Sequence, residues 1–145
     1  MSNFAGFSKR MKVRGDQIEK GVNRTVRKVA LAVDQAVVLA TPVDTGRARS
    51  NWQVSIVSPI TTTRSAYSPG SKLGLGESAN ANAAIEHAKQ KIRARTLGQE
   101  IHITNNLHYI KDLNDGSSAQ ALPGFVEAAV LAGAAVVRGA KVTVK

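Results

Sequence analysis

Residues 15–52 read GDQIEKGVNRTVRKVALAVDQAVVLATPVDTGRARSNW, a long basic helix that stops at a proline corner and turns into a strand. Ile18, Val22, Val26, Val29, Val33, Ala36 and Ala40 recur at steps of three and four, the period of one helical stripe. Lys20, Arg24, Arg27 and Lys28 project from the opposite face, with Asn23, Asp34 and Gln35 beside them. About 25 residues at 1.5 Å rise make a rod of roughly 37 Å, enough to cross a small domain. Pro42 ends it, because its ring disfavours helical geometry at Thr41 and removes a donor. Asp44 is suited to a side-chain turn and Gly46 to a positive φ. Beyond the corner, Trp52, Val54 and Ile56 alternate with Asn51, Gln53 and Ser55, the period of a half-buried strand.

The whole chain has 145 residues, room for one domain, and its 43% hydrophobic content suffices for a modest core. Aromatic residues are only 4%, so the core rests on Val, Ile, Leu and Ala, and a partner or self-association is expected to add stability. No cysteine is present, which excludes disulfides and thiolate metal sites. No apolar run reaches the ~20 residues of a membrane span, and the start lacks the apolar core of a secretion signal. Lys and Arg number 20 against 10 acidic residues, a formal charge of +10 whose field attracts polyanions. Eight basic residues fall between Lys9 and Lys28. They form either a solvated helix face or a surface for nucleic acid or an acidic protein.

Ahead of the helix, residues 1–14 combine Phe4, Phe7 and Met11 with basic side chains, as in an arm that docks on a neighbour or one that caps the core. Residues 59–79 carry Thr, Ser, Gly and Pro without periodicity, predicting a long loop or hairpin that projects from the body, with Tyr67, Leu73 and Leu75 as anchors. A second helix is capped by Ser78 or Asn80, runs through Ala81, Ala84, Ile85, Ala88 and Ile92, and closes at Gly98. Ile101 and Ile103 then alternate with Glu100 and His102 in a short strand. Leu107, Tyr109, Ile110 and Leu113 form an apolar patch before a turn at residues 114–118. The last helix starts near Pro123 and is almost wholly small or apolar, so it should be covered on several sides, by the sheet and by another subunit. In the tail, residues 139–145, Val142 and Val144 alternate as in a strand. The fold class expected is α+β, with the long helix and the C-terminal helices on a small antiparallel sheet.

Catalytic constellations are missing. His87, His102 and His108 have no i,i+4 partner histidine and no convergent carboxylates, so neither a catalytic site nor a metal site is expected, and no cofactor. Gly70-Ser71-Lys72 lacks the spacing and preceding strand of a phosphate loop. No zinc finger or base-stacking platform is present, and charge without a reading motif implies backbone attraction without sequence choice.

Two glycine corners carry a resemblance. Thr41-Pro42-Val43-Asp44-Thr45-Gly46-Arg47-Ala48-Arg49 follows a long helix, and Tyr109-Ile110-Lys111-Asp112-Leu113-Asn114-Asp115-Gly116-Ser117-Ser118 with Ala121-Leu122-Pro123-Gly124-Phe125 comes some sixty residues later. In this order, over nearly the entire chain, they resemble the minor tail-component family of long-tailed bacteriophages, the tail-completion or neck proteins of the head-to-tail junction. The resemblance implies a structural virion protein without enzymatic activity, made in the host cytoplasm and built into a ring, hexameric or dodecameric, around the DNA channel. Its implied partners are copies of itself, the connector or adaptor, the tail terminator or tube, and genomic DNA by non-specific contact. Pro42, Asp44, Thr45 and Gly46 would form the corner. Arg47, Arg49, Tyr67, Leu73, Leu75 and Tyr109 would meet a subunit or partner, and Lys20, Arg24, Arg27 and Lys28 would face channel DNA or an acidic partner. A tail terminator capping the tube is the alternative, and a free non-specific DNA-binding protein the reading from another class.

Overall fold

The computed structural model describes residues 2–70 and 77–139. Its elements follow the chain as α1 (Ser2–Ala40), α2 (Arg47–Ser50), β1 (Gln53–Ile56), α3 (Glu77–Ala94), β2 (Ile101–Thr104), α4 (Ile110–Asn114) and α5 (Phe125–Ala135). The fold is α+β, with a small sheet of β1 and β2 paired antiparallel, Val54 opposite Ile103 and Ile56 opposite Ile101. None of the helices among these residues is long and apolar enough to cross a membrane.

α1 has 39 residues and spans roughly 58 Å, starting well before the Gly15 boundary expected from periodicity. Nothing between Ser2 and Gly15 stops a helix, since an interior glycine costs only about 1 kcal/mol. Residues 3–16 are almost wholly exposed, so the first third of the rod stands clear of the body. At the other end the Thr41 amide still bonds to Val37 O at 3.1 Å, and Pro42 then closes the helix.

The face of α1 that meets the core coincides only in part with the stripe that periodicity selects: Ala36 packs on the core and Val33 on α5, but the most buried residues lie beside the stripe. Ala30, Asp34, Val37 and Val38 are the buried residues, whereas Ile18 and Val22 are half exposed. Val37 and Val38 join Trp52, Ala81, Ala84, Phe125 and Ala129 in one cluster, and Ala30 joins Val54, Ala88 and Ile92 in a second. The inward face is chosen by α5 and α3, the elements that pack most closely on α1.

Between the corner and β1 the chain first makes α2. Gly46 caps it at φ +81°, and the Ser50 hydroxyl and Asn51 amide bond back to the Gly46 and Arg47 carbonyls at 2.9 and 2.8 Å, closing one helical turn. Arg47 and Arg49, both expected at an interface, therefore lie on a helical turn, Arg47 exposed and Arg49 buried. α3 spans Glu77–Ala94, so Ser78 and Asn80 both lie inside it and neither is its cap. α5 packs chiefly on α1, where Gly133 lies so close that a Cβ would come within 2.0 Å of Val33 Cγ2. Coverage on several sides, expected from its composition, is incomplete within the chain: Ile103 of β2 packs on the cluster that holds Phe125 and Ala129, but Val130 and Leu131 remain 50% and 69% exposed.

Residues 58–70 form neither helix nor strand, as expected, but the anchoring differs. Tyr67 folds back on its own core instead of projecting toward a neighbour. Its ring stacks on His87 at 5.0 Å, and the Arg64 guanidinium lies 3.3 Å over it. Leu73, Leu75, Val142 and Val144 lie outside the described residues.

Candidate interaction surface

The corner after α1 is held by side-chain amides. Asn80 is fully buried, and its Oδ1 accepts from the Ser68 amide at 2.8 Å and lies 2.9 Å from Ser50 Oγ. Its Nδ2 donates to Ser68 O at 2.7 Å, so one side chain satisfies both backbone groups of Ser68. Gly46 sits directly over this amide, and a Cβ there would fall 2.2 Å from Asn80 Nδ2. Glycine is required at 46 both by the positive φ and by this contact. Gln120 pairs with both backbone groups of Val43, each at 2.9 Å, tying the corner to the segment before α5.

Arg49 is 8% exposed and donates from Nε to Thr41 O at 2.9 Å and from a terminal nitrogen to Leu39 O at 3.1 Å. Carbonyls at the end of a helix lack intrahelical partners, and a cation suits that end of the dipole. Arg49 thus closes the C-terminus of α1 within its own chain, and its expected place at a partner interface is not what the fold gives it. Thr41 extends this link, donating to Val37 O at 2.6 Å and accepting from Trp52 Nε1 at 2.7 Å.

On the outer side of the corner Asp44 and Arg47 are exposed and lie near Tyr109. Partial burial raises the Tyr109 phenol above its ordinary value, Arg47 pulls it down and Asp44 pushes it up. Three of the expected residues thus share one surface. Pro42 is buried, and Thr45 is exposed. At the second corner Asn114 Oδ1 accepts from the Val126 amide at 2.9 Å, and its Nδ2 meets both Glu127 oxygens at 3.0 and 3.2 Å. Asn114 therefore serves the orphan amides at the start of α5, and its amide holds the Glu127 carboxyl below its usual range.

The basic face of α1 is smaller than expected. Lys20, Arg24 and Lys28 are exposed, but Arg27 turns to the Arg95 carbonyl. Arg95, 7% exposed, bonds in turn to Asn23 Oδ1 and to Gln99 O, the latter at 2.8 Å. Arg27 and Arg95 thus lock the end of α3 to the middle of α1. The exposed cations continue along the free rod through Lys9, Arg10, Lys12 and Arg14, interleaved with Phe4, Phe7 and Met11, which are 77%, 51% and 52% exposed.

Between α1 and β2 runs an open apolar groove of about 660 Å³, lined by Val26, Val29 and Val33 of α1, by Ile101 and Ile103 of β2 and by Val137. Glu100, on its rim, is exposed, and its carboxylate lies 3.3 Å from His102 Nε2.

Asp34 is the residue that reading the sequence misplaces most. Grouped there with the charged face, it is 0% exposed, and neither carboxylate oxygen has a hydrogen-bond partner. Burial pushes its pKa up to about 7. The signal available was its setting, as the only charge between Val29 and Val43, in Val-Ala-Leu-Ala-Val-Asp-Gln-Ala-Val-Val-Leu-Ala-Thr-Pro-Val. Among the described residues no group of His, Asp and Glu side chains could hold a metal ion. Comparison of the chain with protein-family models, with curated proteins and with solved structures returned no match.

Proposed function

We propose that this chain is a structural virion protein of the phage head-to-tail junction, a neck or tail-completion protein that acts through its surfaces. One observation carries this reading: α1 is roughly 58 Å long, and its first third stands clear of the body with large apolar and basic side chains exposed together. Exposed apolar side chains grouped on a rod are contact surface awaiting a partner. The order of corners, Pro-Val-Asp-Thr-Gly after the helix and Leu-Pro-Gly-Phe before α5, supports placing that partner in a phage neck. Lys20, Arg24 and Lys28 supply a field for DNA passing through the channel or for an acidic neighbour.

A nonsense codon in this reading frame, in the genome that encodes it, tests the reading. DNA-filled heads and finished tails should accumulate unjoined, and supplying the chain from a plasmid should restore infectious particles. Normal particles lacking the chain would refute the assignment.

A further inference from the structure

We infer that the free end of α1 in one copy seats in the groove between α1 and β2 of the next, so that copies join head to tail. This rests on the neck reading for its setting but on separate observations for its geometry.

The apolar residues of α1 repeat at intervals of eleven: Phe4, Gly15 and Val26, then Phe7, Ile18 and Val29, then Met11, Val22 and Val33. Eleven residues make about three turns at 3.67 residues each, so the series stays on one side of a nearly straight rod. Its C-terminal third lines the groove, and its N-terminal third is exposed. The same helix therefore presents an apolar plug at one end and an apolar socket at the other. The volume of about 660 Å³ is in the range that encloses bulky groups. An aromatic ring buries roughly 150–250 Å². Two phenylalanines, Met11 and the wall opposite thus approach the ~1,000 Å² of a specific interface.

Charge selects a copy of the chain and sets the direction. The plug is flanked by Lys9, Arg10 and Lys12, and the socket carries Glu100 on its rim. A reciprocal antiparallel pairing of two α1 helices with Phe4 opposite Val33 would place Lys9 opposite Lys28 and Arg10 opposite Arg27, a pair of like-charge contacts that repel. One-way seating with the plug parallel to the socket's α1, Phe4 toward Val26 and Phe7 toward Val29, avoids those contacts. A heterologous contact of this kind makes a ring if its rotation closes.

The chain has no cysteine, so introduced thiols report single contacts. Ser8 borders the plug and is exposed, and Thr25 lines the socket. With a short bis-maleimide, S8C alone and T25C alone should stay uncoupled, their mixture should couple in pairs, and the chain with both should give a ladder beyond the dimer. Adding Phe4→Glu and Phe7→Glu should lower the coupled product at least about tenfold while the helical circular dichroism is kept. Products that stop at the dimer would overturn the one-way contact. An oligomeric chain that gives no S8C to T25C product, or a chain monomeric at every concentration, would overturn the seating itself. In both cases the nonsense test of the neck reading keeps its own answer.

Discussion

Asp34 gives the monomer a dependence on pH opposite to the common one for carboxylates. In the unfolded chain an aspartate ionises near 3.9, whereas Asp34 keeps its proton in the fold up to about 7. Between these values the folded state binds the additional proton, so stability falls as pH rises from about 4 to 7, by up to ~1.4 kcal/mol per unit, and the loss is complete above. Urea unfolding at pH 5 and pH 8 should show the decline, and Asp34→Asn should remove that part of it. An equal decline in the variant would place its source elsewhere. At the corner, Gly46→Ala should cost on the order of 3 kcal/mol, from a positive φ and a Cβ driven against Asn80. A melting temperature equal to that of the parent chain would show that the Asn80 amide yields without loss.

Among the elements, α1 shows most clearly what could be read from residues and what could not. Its stop at Pro42 and the left-handed Gly46 follow from local chemistry, and both are where the sequence puts them. The antiparallel partners β1 and β2 were likewise marked by alternation. How deeply each part of α1 is buried was not marked, because Val26, Val29 and Val33 are as apolar as Val37 and Val38, and only the placement of α5 and α3 decides between them. The same limit hid Arg49 and Arg27, whose partners are carbonyls exposed by helix ends and seen only once the helices are packed. One consequence concerns the basic face. Changing Lys20, Arg24 and Lys28 together to Glu should leave the melting temperature within a few degrees, because exposed charges contribute little to stability. Duplex DNA binding and its salt dependence should largely disappear. Unchanged binding would exclude this face as the polyanion surface, and unfolding would show that it supports the fold.

At the scale of the molecule the chain divides into a body and a lever. The body closes around the two clusters that unite α1, α3, α5 and β1, and residues 2–14 add nothing to either cluster. Removing residues 2–14 should therefore leave a folded chain of similar stability that no longer assembles, read by denaturation and by sedimentation. A large loss of stability would show that the rod supports the body. The most direct measurement is an image of the head-to-tail junction at side-chain resolution. A ring of copies of this chain should surround the DNA channel, each with Phe4, Phe7 and Met11 seated against Val26, Val29 and Ile101 of its neighbour. A junction without this chain, or a ring in which the ends of α1 touch no neighbouring copy, would contradict it.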